Sequence, residues 1–149
     1  MARRAVEMTV KGKGVQMIRT VLAAGIALAL PIAAAAEGHT AGDAEAGEKV
    51  FRKCMACHAV GEGAENKVGP QLNGVVGRDI ASVEGFSYSD ALMTLGEEGK
   101  AWTPEELQAF LEKPRDYAKG TKMSFAGLRK EEDRNDVIAY LATFEGAGS

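Results

Sequence analysis

Residues 54–58 read Cys54-Met55-Ala56-Cys57-His58, and no other stretch restricts what this chain can fold into so tightly. Both cysteines of the 149-residue chain, and one of its two histidines, fall inside these five positions. C-x-x-C-H is the attachment signature of c-type haem. Two thiols three residues apart on one turn can reach the two vinyl groups of one porphyrin and form thioethers. The histidine next in line then presents its imidazole to the iron as proximal ligand. Two other chemistries use paired cysteines. A thioredoxin-like disulfide usually follows a strand in a βαβ pattern, whereas the segment before Cys54 reads as helix. A structural zinc site needs four ligands, and the chain offers only Cys54, Cys57, His58 and the distant His39. The motif therefore predicts one haem c per chain, covalent through Cys54 and Cys57, with His58 as an iron ligand.

The charge is unevenly placed. Residues 1–36 hold five basic residues and one acid, whereas the other 113 hold 13 basic and 20 acidic residues, a net charge of −7. Binding nucleic acid requires Lys and Arg to displace counterions from phosphates, and an acidic body argues against it. From Val21 to Ala36 the chain is apolar and uncharged, with basic residues before it and Ala34-Ala35-Ala36 at its end. That is the layout of a secretory signal. Sixteen residues interrupted by Pro31 fall short of the roughly 20 that span a bilayer. The sequence thus predicts a removed signal over 1–36, with Met1 or Met17 as initiator. A flexible lead-in over 37–46 and one domain over 47–149 follow, with no membrane span after cleavage and export to the bacterial periplasm.

Four helical stretches are expected. The first runs from about Ala44 to Cys54 and the last from about Lys130 to Phe144, where Val137, Ile138, Leu141 and Phe144 form an apolar stripe. A short one covers Ser89 to Leu95, ended by Gly96. The best-signalled begins after Thr103, with Pro104 at its first position, Glu106 completing a capping box and Pro114 stopping it. Between them lie Gly61–Gly85, with six glycines and no strand alternation, and Tyr117–Leu128. Loops of this length in so small a domain are either disordered or wrapped around something the chain does not supply.

A haem held by one protein ligand is open, and a sixth ligand makes it a closed electron-transfer site. His39 lies in the lead-in, Met55 cannot reach the opposite haem face from inside the motif, and Met93 suits a helix core. Met123 lies in a loop with no other evident purpose, although a loop methionine taken alone is more often packing than ligand.

Together these residues resemble the class I cytochromes c, in particular the bacterial periplasmic relatives of the mitochondrial protein, from about Gly42 to the end of the last helix. Gly47 and Phe51 stand where that family's first helix meets its last, with Tyr140 as aromatic partner. Gly69-Pro70, with Leu72 and Gly74, resembles the loop whose prolyl carbonyl holds the proximal imidazole N–H. Gly77-Arg78 and Gly85-Phe86-Ser87-Tyr88 resemble the propionate-binding stretch, with Arg78, Tyr88 and Trp102 as donors. Gly120-Thr121-Lys122-Met123 with Phe125-Ala126-Gly127 is similar to the axial-methionine loop, which implies Met123 as sixth ligand and Thr121 as a propionate contact. The resemblance implies an all-α fold of about four helices with long loops around one haem. There are three departures. Phe110 replaces a tyrosine that often bonds the axial sulfur. Asn66 replaces a loop histidine and leaves its bridging bond open. The stretch between Tyr88 and Trp102 is about three residues longer.

The function so implied is that of a soluble, monomeric one-electron carrier cycling Fe(II) and Fe(III). It would run from a quinol–cytochrome c reductase to a terminal oxidase or photosynthetic reaction centre. The alternative is a periplasmic haem enzyme of peroxidase or nitrite-linked type with an opened iron. Lys53, Lys67, Lys113, Lys119, Lys122 and Lys130 flank the motifs and are either ordinary surface or a ring that steers docking onto acidic membrane-bound complexes.

Overall fold

The computed structural model describes residues 42–144. The signal segment and the first half of the lead-in, His39 included, lie outside the described residues. Five helices occur in this range: α1 (Ala44–Phe51), α2 (Asp90–Glu97), α3 (Pro104–Glu112), α4 (Pro114–Tyr117) and α5 (Glu131–Ala142). Among the described residues the only β pairing is one antiparallel bridge, Asp79 with Ala101.

Local chemistry explains most boundaries. Asp43 caps α1, its carboxylate accepting from Glu45 N at 2.8 Å and Ala46 N at 3.2 Å. The helix ends at Phe51, three residues before the expected Cys54. Beyond it the chain tightens into i→i+3 turns, with Lys53 N on Val50 O and Cys54 N on Phe51 O, the usual way a helix end satisfies its last carbonyls. Ser89 caps α2 through Leu92 N. Gly96 does not end this helix. It lies inside it, because the helix packs so closely on the Ile80 carbonyl that a Cβ there would stand 2.4 Å from the oxygen.

Thr103 accepts from Glu106 N at 3.2 Å, so half of the expected capping box forms. The return half does not, because the Glu106 carboxylate accepts the Tyr117 hydroxyl instead. Pro114 both stops α3 and opens α4 at its first position, which is how four expected helices become five. α5 begins at Glu131 and ends at Ala142, inside its expected bounds.

The crossing of α1 on α5 sets the frame. A Cβ at Gly47 would stand 2.0 Å from the Asp136 carbonyl oxygen and 2.8 Å from Tyr140 Cβ. The Phe51 and Tyr140 rings lie 5.4 Å apart, and Asp43 N donates to Asp136 Oδ1 at 2.8 Å. α3 is fastened to α5 by Gln108, whose Oε1 accepts from Arg134 Nε at 2.7 Å and whose amide donates to Asn135. Arg134 is buried, and its guanidinium also donates to the Leu128 and Arg129 carbonyls. Hydrophobic periodicity gives no sign of a buried arginine.

Because the neighbours at Gly47 are backbone and cannot swing away, Gly47→Ala overpacks the crossing. We expect a loss of about 1–3 kcal/mol, read as a lower guanidinium midpoint. An unchanged midpoint would show that the helices can part at no cost.

Candidate haem site

α1 delivers the cysteine motif to the mouth of a cavity of about 770 Å³. Cys57 N and His58 N both bond to Cys54 O at 3.0 Å, so the two thiols and the imidazole leave one tight turn. All nine residues expected at the site line this cavity: Cys54, Cys57, His58, Pro70, Arg78, Tyr88, Trp102, Thr121 and Met123. α3 adds Leu107, Phe110 and Leu111, and α5 adds Val137 and Leu141.

His58 is oriented from two sides. Its Nδ1 donates to the Pro70 carbonyl at 2.8 Å, which leaves Nε2 as the nitrogen able to bind a metal. Behind the ring, Gly69 comes so close that a Cβ there would lie 2.3 Å from His58 Cε1. Burial lowers the imidazole pKa, the Pro70 bond raises it in part, and nearby Lys67 lowers it further, a net shift that favours the neutral ring. Burial pushes the Cys54 thiol up to about 11, against a lowering by Lys53 and with a smaller rise from Cys57.

The opposite wall is polar at one end. Arg78 donates from Nη1 to Asn73 O at 2.7 Å and from Nη2 to Gln71 O at 3.3 Å. Its Nε is buried with no hydrogen-bond partner among the described residues. An unpaired buried donor costs about 1–3 kcal/mol, and a propionate carboxylate would satisfy it. The Tyr88 hydroxyl accepts from Val83 N at 3.3 Å, so its proton is left to donate. Trp102 is buried, its ring centroid 4.8 Å from that of Phe110 and tilted by 52°, and its backbone pairs with Gly77 and Arg78. Thr121 accepts from Met123 N through Oγ1 at 3.3 Å, shaping the turn that carries the methionine.

These features fit haem c: thiols and an oriented histidine at one end, polar donors at another, an apolar lining elsewhere. Among the described residues no group of three or more His, Cys, Asp or Glu is placed to hold a metal ion by itself. Asn66 does bridge loops. Its Nδ2 donates to Glu84 O at 3.3 Å and its Oδ1 accepts from Gln71 N at 3.0 Å, so an amide does what the replaced histidine was expected to do. Two of the lysines that the sequence leaves open between ordinary surface and a docking ring reach backbone carbonyls. Lys67 Nζ reaches Met55 O and His58 O, and Lys122 Nζ reaches Ser87 O and Tyr88 O. Sequence spacing holds no signal for such long-range bonds.

Gly69→Ala forces the His58 ring off its present orientation. We expect the holoprotein to show a larger high-spin fraction in its ferric spectrum than the parent. An identical spectrum would mean that Gly69 does not set the ring.

The Cytochrome c family model matches residues 44–145. Cytochrome c-550 of Ancylobacter novellus is 55% identical over 103 residues, covering 69% of this chain and 96% of that protein. Cytochrome c2 of Agrobacterium tumefaciens is 50% identical over 100 residues, covering 67% of this chain and 90% of that one. The solved structure of cytochrome c2 from Rhodospirillum centenum superposes with a TM-score of 0.66 at 45% identity, covering 70% of this chain and 99% of its own. The chain belongs to the cytochrome c family.

Proposed function

We propose that this chain is a periplasmic one-electron carrier whose iron is closed by His58 and Met123. As a cytochrome c it carries haem c, and Cys54 and Cys57 are its attachment points. When bound, the haem supplies an iron that passes between Fe(II) and Fe(III). The observation that carries the reading is that one cavity is lined by both thiols, by His58 held on the Pro70 carbonyl, and by Met123 on a turn shaped by Thr121.

The residues do three things. Pro70 and Gly69 fix the imidazole, while Leu107, Phe110, Leu111, Val137 and Leu141 keep water from the cavity. Arg78, Tyr88 and Trp102 stand as donors for propionate. A thioether is a soft, neutral ligand, and with an apolar surround it favours Fe(II) and so raises the potential. Phe110 has no hydroxyl to offer the Met123 sulfur. No observation favours the enzyme reading. Among the described residues the cavity lining holds no carboxylate and no histidine besides His58.

The same lining bears on partners. It includes Lys53, Lys67, Arg78 and Lys122 and no acid, in a body whose net charge is strongly negative. Lys53 pairs with Asp133 at 3.4 Å and Lys113 with Asp116 at 3.9 Å, while Lys119 and Lys130 make no ion pair among the described residues. A locally positive mouth on an acidic protein suits acidic redox partners and brief, steered encounters. The family expectation is a quinol-oxidising complex upstream and an oxidase or photosynthetic reaction centre downstream. Among the described residues no helix is long and apolar enough to cross a membrane.

In a spectroelectrochemical titration we expect one reversible one-electron wave. Reduction by an acidic redox partner should slow about tenfold or more between low and high salt. Multi-electron turnover of peroxide would contradict the carrier, and a rate indifferent to salt would contradict the docking.

A further inference from the structure

Asn73, Ser89 and Arg134 are the buried polar or charged residues among those described. Arg134 fastens α3 to α5 and Ser89 caps α2, whereas Asn73 does neither. Its carboxamide pairs with one glycine: Oδ1 accepts from Gly61 N at 2.7 Å, and Nδ2 donates to Gly61 O at 2.9 Å. An amide sets an acceptor and donors side by side, so the side chain pairs with Gly61 as a neighbouring strand would. Gly61 lies three residues past His58, on the chain that leaves the attachment turn.

The backbone of the same residue meets Arg78. Asn73 O accepts from Arg78 Nη1 at 2.7 Å, and Gln71 O accepts from Nη2 at 3.3 Å. A guanidinium is planar, with its donors in a rigid fork, so pinning both Nη ends fixes the plane and with it the direction of the Nε–H. That Nε is the buried donor with no hydrogen-bond partner among the described residues, on a side chain that lines the haem cavity. The 71–73 stretch is itself held. Gln71 Oε1 accepts from Asn73 N at 2.7 Å, Asn66 Oδ1 accepts from Gln71 N at 3.0 Å, and Leu72 N donates to Ala59 O at 2.9 Å. The Asn73–Gly61 pair secures the end of the stretch that makes the shorter bond to Arg78.

We propose that Asn73 is a positioning residue for Arg78: its side chain clamps the 71–73 stretch to Gly61, so that its carbonyl aims the guanidinium at a haem propionate. This rests on the reading of Arg78 as a propionate donor. A guanidinium held in place keeps the carboxylate ionised and offsets its negative charge. Once it wanders, the carboxylate's pKa rises and its charge is less offset, which favours the more positive Fe(III) over Fe(II). The reduction potential falls with rising pH across the range in which the propionate titrates, and that range moves up when Arg78 is loosened. Tyr88 also faces Arg78, but its pKa is raised by burial above the ordinary tyrosine value, so it adds no step there.

The test follows the midpoint potential of the holoprotein against pH for the parent, Asn73→Ala, Arg78→Gln and the double variant. Asn73→Ala keeps the backbone carbonyl, and the ties of Leu72 to Ala59 and of Gln71 to Asn66 remain. We expect its pH-dependent range about one unit above the parent's, the low end for displacing an opposite charge. In the Arg78→Gln background the same substitution should move the range no further, because residues that act through one another are not additive. A parent-like profile in Asn73→Ala, or a shift of equal size in both backgrounds, would reduce Asn73 to a packing residue. If Asn73→Ala does not hold haem, Asn73→Ser, whose hydroxyl satisfies one Gly61 group but not both, carries the same expectation. An Arg78→Gln profile identical to the parent's would instead overturn the propionate reading, and the positioning role with it.

Discussion

Everything at the site depends on the contact between α1 and α5 at Gly47. Only a residue without a side chain lets the two backbones approach so closely, and that approach seats α1 on α5. Because the helix stops at Phe51 and tightens into i→i+3 turns, Cys54, Cys57 and His58 emerge together from one turn. α5, on the far side of the same crossing, contributes Val137 and Leu141 to the cavity. One backbone contact thus places both the attachment motif and part of the apolar wall that faces it.

Much of this was legible in the residues. The cysteine motif, the cap at Thr103, the proline at 104 and the stripe on α5 are local signals that the folded chain keeps. The nine residues expected at the site converge on one cavity even though they span 70 positions of chain. Other features were not legible, because each depends on tertiary approach. Gly96 looks like a helix stop until the nearness of the Ile80 carbonyl is known. Glu106 looks like the partner of its own helix N-terminus until Tyr117 is found beside it. Lys67 and Lys122 look like free surface charge until the carbonyls they reach are seen. A polar side chain's partner is set by tertiary approach, and short-range spacing carries no record of it.

The electrostatics of the molecule separate into two scales. The body is acidic, yet the cavity lining holds four cations and no carboxylate. Two of those cations, Lys67 and Lys122, make backbone bonds that tie loops together, and Lys53 is paired with Asp133. Cations at the mouth therefore serve first to hold the loops that surround the haem, and their outward field is what remains for a partner to sense. That order follows from distance, since bonds near 3 Å act fully while exposed charges are screened over about 10 Å at 0.1 M salt.

We propose that His58 and Met123 close the iron from opposite loops of one cavity. The most direct test of this is the visible spectrum of the ferric holoprotein, followed in the weak red band of the methionine–iron bond, beside a Met123→Ala variant. The band is expected in the parent and lost in the variant, with the covalent haem retained in both. A parent without the band, or a variant that keeps it, would contradict the closed site.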